Sequence, residues 1–404
     1  MVKKNKVFCL NFKKMDINDV LSKKIFTYTL FLMLFLTTST FNWSQRFQEG
    51  VRLLQFIRIY LSFLIIIFSL LVKRFRLNEC VIYSIIVMFF LLHSFFREYR
   101  WENFYFLSIA LLVKDQKVEW ILDRIFKVFS LNFLSILILH FLGIISPVTV
   151  MRANGTLRSS LGFWHPNTTG GMILIIFIVY LLKKKNKPSF LVLSSFVLIF
   201  FLLNIFLDSR TGLIGIILII FGIIFLRISE KLTPSSPLLK PTFQSRLIFI
   251  LPFLFLFSSL FISLLFTRES IFFLHLNRLL TGRIDLGHFY LNEYPITLWG
   301  IPIFENAGDQ NSINQIGFRF LDNAFLFSLL SLGILFTFLR IILIYLISKY
   351  LLLRGHKYII VILIGFLFFG FMERLIWIPA FNIFFILGGL LLDRSNAIQK
   401  EVHS

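Results

Sequence analysis

Acidic residues are scarce in this chain. Its 404 residues hold 20 Asp plus Glu against 41 Lys plus Arg, and charged residues make up only 15%. Soluble domains average about 25% charged, so a water-facing surface of ordinary size cannot be built from this composition. Cysteine is equally scarce. Cys9 and Cys80 are the only two, and both fall in segments read below as cytoplasmic, so no disulfide and no cysteine-based metal centre is expected. No Walker loop, HExxH, dinucleotide fingerprint or metal-ligand spacing occurs, which removes the common nucleotide- and metal-dependent classes and leaves no cofactor to expect. Strands of about ten alternating residues are missing, and with them the signature of a membrane barrel. No Gly/Ser linker, internal repeat or soluble domain interrupts the chain, so residues 1–404 read as one integral membrane domain.

What fills the sequence is apolar. Hydrophobic residues make up 57% of it, with 54 Phe, and runs of about 20 apolar residues recur, each long enough to cross a bilayer. The fold class expected is all-α, a polytopic transmembrane bundle of about twelve helices. Its spans are 25–41, 55–72, 80–96, 103–113, 128–146, 167–182, 188–207, 211–226, 247–266, 323–347, 358–372 and 380–392. The net charge of +21 has a topological reading: Lys and Arg gather in 1–24, 73–76, 114–127, 183–187, 227–246 and 349–357, alternating with the spans as cytoplasmic loops do. No soluble basic face with stacking aromatics accompanies them, so nucleic acid is not an expected partner. Both termini, including the segment 1–24 and the tail 393–404, are expected in the cytoplasm of a multi-pass cell-membrane protein. The basic-then-apolar start lacks a small-residue cleavage site and reads as an uncleaved first helix.

Three polar islands then fall on the opposite, extracytoplasmic side. They are "GFWHPNTTGG" near 162–171, "DSRTG" at 208–212, and the one long loop, 267–322, between the ninth and tenth spans. In the first, His165 precedes a proline and suits an extended entry turn, a hydrogen bond to a sugar hydroxyl, or a general base. Asn167 suits a helix cap, and Trp164 either stacks on a sugar ring or belongs to an interfacial belt. In the second, Ser209 and Arg210 stand where a helix begins. An arginine beside free helical N–H groups is a phosphate partner, or else an interfacial anchor. In the third, "NRLLTGR" carries Arg278, Thr281 and Arg283. On one helix the two arginines would lie well apart around the cylinder, whereas Gly282 permits a turn that aims Arg283 toward the membrane mouth. Glu293 follows. Asp322 and Asn323 open the next helix, as an N-cap or as a carboxylate able to accept a proton. Glu373 and Arg374, on a further outer turn, pair with each other or line the same mouth.

The order "GFWHPN", "SRTG", "LNRLLTGR", "LDNAFLFSLLSLGIL" resembles the O-antigen polymerase (Wzy-type) and O-antigen ligase superfamily, in particular the capsule and exopolysaccharide polymerases of Gram-positive bacteria. The resemblance covers about residues 150–345 in motifs and the whole chain in topology. It implies a metal-independent glycosyl transfer on the outer face, in which a glycan on undecaprenyl diphosphate passes to a hydroxyl of an incoming lipid-linked repeat unit. Arg210 and Arg283 match the family's diphosphate-holding arginines. With Asp322 and His165 they form the expected catalytic set, and Arg278, Asn167, Trp164, Ser209, Thr281, Asn323 and Glu293 the expected substrate-binding set. Partners implied are the undecaprenyl-diphosphate-linked oligosaccharide, the bilayer, and flippase and chain-length-regulating proteins. Asp322-Asn323 stands where ligases carry His-Asn, which favours polymerase over ligase. A flippase or transporter for lipid-linked oligosaccharide is the alternative from another class, and a ligase-like glycan transferase the third reading.

Overall fold

The computed structural model describes residues 17–38, 48–72, 84, 87–88, 102–114, 116–151, 155–185, 188–236, 240–303, 320–378 and 381–392. Four helices come first: α1 (Ile17–Thr38), α2 (Gln48–Val72), α3 (Glu102–Val113) and α4 (Val118–Phe141). A two-stranded hairpin follows, β1 (Thr149–Met151) antiparallel to β2 (Leu157–Ser159), with Val150 opposite Arg158. Then come α5 (Pro166–Lys184), α6 (Phe190–Leu207), α7 (Arg210–Leu232), α8 (Pro241–Leu264), α9 (Ile271–Leu279) and α10 (Arg283–Glu293). The chain closes with α11 (Ala324–Leu353), α12 (Ile359–Met372), a 3-10 turn at Arg374–Trp377, α13 (Ile383–Ile386) and a 3-10 run at Leu387–Leu392.

Among the described residues, α5, α6, α7, α8 and α11 are long and apolar enough to cross a membrane, and Ile59–Leu71, Phe104–Val113 and Ile359–Met372 are shorter apolar stretches. The chain is therefore a helical membrane protein by length and composition. Helix α5 is its axis: 89% of its apolar window is buried, against 17% for α6, which lies at the periphery. A helix that is apolar all round suits such a central position. Around α5 pack α4, α6, α7 and α12. Small residues let the backbones close in, as bilayer packing requires in the absence of a hydrophobic drive between helices. A Cβ on Gly212 of α7 would lie 2.8 Å from the Gly170 carbonyl oxygen of α5, and one on Gly365 of α12 would lie 3.0 Å from the Gly215 oxygen of α7.

Several sequence boundaries move. The span expected from 128 begins at Val118, because a charged first turn hides it from hydropathy; Asp123 pairs there with Lys183 at 2.5 Å and Glu119 with Lys185 at 2.8 Å. The span expected at 380–392 is instead the short α13 and a 3-10 run. Asn382 caps Phe385 N–H at 3.0 Å and donates to the Ile376 carbonyl at 2.7 Å, and Gly389 meets the Ala110 backbone of α3 too closely for any side chain. The span expected at 80–96, both cysteines and the tail 393–404 lie outside or almost outside the described residues, as does 304–319 of the long loop.

Helix α11 is broken near its start by a π stretch, Ser328–Leu332, ended by Gly333 at φ 88°. The loop before it repairs the break. Ile301 N–H donates to the Leu330 oxygen at 2.8 Å, and Ile334 N–H to the Thr297 oxygen at 3.0 Å. Irregular backbone in an apolar setting needs such replacement partners.

Candidate functional site

The starts of α5, α7, α10 and α11 meet the ends of α6, α8 and α12 at one end of the bundle. The opposite end is basic, with Lys183, Lys185, Arg227 and Lys357 in hydrogen bonds or ion pairs.

Arg283 opens α10. Gly282 sits at φ 83° and supplies the turn that separates α9 from α10. The Asn277 side chain caps the new helix, accepting Ile284 N–H and Asp285 N–H at 3.1 Å each. The Arg283 guanidinium is thereby carried inward and is only 12% exposed. Its Nε donates to the Met372 oxygen at 2.5 Å, Nη1 to the Leu280 oxygen at 3.4 Å and to Thr281 Oγ1, and Nη2 to Glu373 Oε1 at 2.5 Å. Asp322 Oδ2 lies 3.5 Å from the same Nη2.

Glu373 follows α12 directly, and Oε1 gathers further donors: Asn167 Nδ2 at 2.7 Å and Thr211 Oγ1 at 3.3 Å. Asn167 is itself oriented by Arg158, whose Nη2 donates to Asn167 Oδ1 at 2.5 Å while its Nε donates to the Leu207 oxygen at 3.0 Å. Opposed partners on its two amide atoms fix which way the Asn167 amide faces. Burial pushes the Glu373 carboxyl up to about 7; Arg283 opposes this and Asp322 adds to it. A carboxylate taken from water pays for its charge unless it is fully paired, and a second carboxylate on the same guanidinium weakens that pairing.

His165 caps α5, its Nδ1 accepting Asn167 N–H at 3.1 Å. That places its proton on Nε2. Burial, then Arg158 and Arg283, lower its pKa to about 4, so near neutral pH it is an uncharged donor with its basic lone pair already in use. The general-base reading of His165 is corrected on that ground.

The remaining expected residues sort by geometry. Arg210 does not converge with Arg283: its guanidinium is 61% exposed and meets Asp208 at 3.4 Å, and among the described residues the two arginines share no partner. It is Arg158 that joins Arg283 in the cluster, through Asn167. Ser209 is fully buried against Gly170, its Oγ without a partner among the described residues. Asn323 is also buried; its Oδ1 caps Phe325 and Leu326 N–H at 3.0 and 3.1 Å, and its Nδ2 donates to Ser259 at 3.0 Å. That commits both its polar atoms to structure. Thr281 stands exposed at φ 55° and accepts from Arg283. Arg278, Trp164 and Glu293 are exposed around the rim. Glu373 pairs with Arg283, while Arg374 stacks over Phe320 and Phe327 at 5.2 and 5.3 Å.

Arg158 was missed by sequence reasoning. The signal available in the sequence was the Asn-Gly pair at 154–155 between short extended runs, a hairpin signature; of the three residues of β2, Arg158 is the buried one. Among the described residues no three His, Cys, Asp or Glu gather as a metal site would need.

Fold and site together define a helical membrane protein with a buried arginine–carboxylate cluster at one end of its bundle. No family model matches the chain, and neither a curated protein nor a solved structure matches it.

Proposed function

We propose that the chain is a metal-independent polysaccharide polymerase of the outer face of the cytoplasmic membrane. It joins oligosaccharide repeat units by moving a glycan from its undecaprenyl-diphosphate carrier to a sugar hydroxyl. The observation that carries this reading is the Arg283–Glu373 pair at 2.5 Å, tied to Asn167 and Thr211 at the heads of two other helices. The three polar islands of the sequence supply Asn167, Thr211 and Arg283, and the turn after α12 supplies Glu373; they lie at the end away from the basic loops, the end that the positive-inside tendency assigns to the outer face.

The chemistry suits the transfer. Departure of a lipid diphosphate builds negative charge, and preorganised cations in a poorly hydrated site stabilise such charge strongly. Arg283 pairs with one deeply buried carboxylate, and Arg158 stands behind it through Asn167. When that carboxylate takes up a proton, the cluster gains positive charge as the leaving group becomes anionic. Exposure of Arg210 at the head of α7, beside Asp208, supports a role in meeting phosphate from solvent.

Purified lipid-linked repeat unit supplied to the reconstituted protein tests the reading. A ladder of longer lipid-linked products, without metal or sugar nucleotide, is expected. One feature favours the transporter alternative: α11 is broken at Ser328–Gly333, and broken helices line the substrate paths of carriers. Movement of the intact repeat unit across the vesicle membrane with no ladder would select that alternative.

A further inference from the structure

The geometry points to Glu373, through its Oε2, as the group that removes the proton from the acceptor hydroxyl, and to Arg283 as the positioning residue that aims it. This rests on the polymerase reading above. The sequence suggests Asp322 and His165 as bases, and Glu293 is a further outer-loop carboxylate; each is less well placed. Glu293 is exposed at the far end of α10, and the His165 Nδ1 lone pair is occupied. Asp322 stands 3.5 Å from the guanidinium with its side chain 35% exposed.

Glu373 differs in how its two oxygens are used. Oε1 takes Asn167, Thr211 and Arg283, donors from three separate helices, whereas Oε2 takes none from the described residues. The carboxylate is held by one oxygen, and the other keeps its lone pairs uncommitted among the described residues. Arg283, for its part, is largely engaged by the protein. Of the five N–H groups of a guanidinium, four donate to the Met372 and Leu280 oxygens, Thr281 Oγ1 and Glu373 Oε1, and Asp322 Oδ2 lies 3.5 Å from Nη2. A guanidinium so engaged orients its neighbours before it meets a phosphate. Arg210, 61% exposed and paired with Asp208 at 3.4 Å, is the more accessible cation for that task.

The step balances without a co-reactant. The acceptor O–H gives its proton to Oε2, and its oxygen bonds to the anomeric carbon of the donor glycan. The bond from that carbon to the diphosphate oxygen breaks, its electron pair leaving with the carrier lipid. Protonated Glu373 then returns the proton to the diphosphate or to water. Titration of Glu373 is set first by burial, then by Arg283 on α10, Asp322 before α11, and the hydrogen bonds from Asn167 at the head of α5 and Thr211 on α7; the other charged or titratable groups nearby are His165, which caps the same α5, Arg158 behind Asn167, and Arg374 next in the chain. Its pKa near 7 suits a base working at neutral pH.

The test uses the full-length protein in vesicles with the lipid-linked repeat unit, recording both binding of that compound and initial rate from pH 5.5 to 8.5. The wild type should show a rate rising with pH through an apparent pKa near 7. Glu373→Gln should bind the lipid-linked unit as before and elongate about 10²–10⁴-fold more slowly. Asp322→Asn removes a like charge beside Glu373 and should move the rise to lower pH; Arg283→Lys, with poorer pairing, should move it higher. Full-rate elongation by Glu373→Gln overturns the assignment and leaves the polymerase reading standing. Should Glu373→Gln fail to fold, an unmoved profile in Asp322→Asn overturns it equally. No ladder from the wild type overturns the polymerase reading, and this assignment with it.

Discussion

Replacing Arg283 with alanine would strip a buried carboxylate of the guanidinium that meets it at 2.5 Å. Breaking a buried pair from one side costs about 3–5 kcal/mol, chiefly because the remaining charge is left without compensation. Glu373 can escape part of that cost by holding its proton, so the penalty must depend on pH. Its folded-state pKa, about 7, lies above its ordinary 4.5. The stability linked to that proton is therefore complete below pH 4.5 and is lost as pH rises through 7. In the wild type the ionised form is available at pH 8 and spares the native state on the order of 1 kcal/mol relative to remaining protonated. Without Arg283 the carboxyl stays protonated to higher pH and that relief disappears. The variant should thus fall short of the wild type by on the order of 1 kcal/mol more at pH 8 than at pH 5.5. Equilibrium unfolding of the full-length protein in detergent at the two pH values measures this, with Glu373→Gln and the double variant completing a cycle. A deficit equal at both pH values, or a coupling within about 0.5 kcal/mol of zero, would refute the reasoning.

Two further outcomes follow from separate parts of the structure. Gly212→Ala sets a methyl 2.8 Å from the Gly170 oxygen and 3.0 Å from its carbon, backbone atoms that cannot swing aside. Overpacking costs about 1–3 kcal/mol, offset by roughly 1 kcal/mol of helix propensity, so a lower melting temperature is expected, and an unchanged or higher one would contradict the close approach. His165→Asn retains a good cap for α5 while removing an acid-sensitive group. The His165 pKa is lowered from 6.5 to about 4, so its contribution is whole above pH 6.5 and is lost as pH falls through 4, amounting to about 3 kcal/mol at most. The stability of His165→Asn should therefore decline less than that of the wild type between pH 6.5 and 4; parallel declines would show that His165 is not buried in its neutral form.

Much of the bundle was legible because the spacing of apolar residues is a local property. Helices α5, α6, α7 and α12 begin and end within a few residues of the runs that announced them. Failures fall where packing overrides hydropathy. The charged first turns of α4 pack where Lys183 of α5 and Lys185 just after it meet Asp123 and Glu119, and residues 383–392 give up a continuous α-helix where Gly389 presses on α3. The polar islands were visible as islands. Their internal division of labour was not, since Ser209 and Asn323 carry the same hydroxyl and amide groups whether they face a ligand or fill a seam.

The sequence by itself determined that this chain is apolar and helical, where most of its long helices run, and which few segments could hold polar chemistry. Only the tertiary structure decided that Glu373 meets Asn167, Thr211 and Arg283, partners 206, 162 and 90 positions away, and that Arg210 stays outside while Arg158 comes in. Hydrophobic periodicity records what each residue's near neighbours do. The direction of a side chain, and the proton affinity of a buried one, are set by elements that are remote in the chain and become neighbours only when the helices pack.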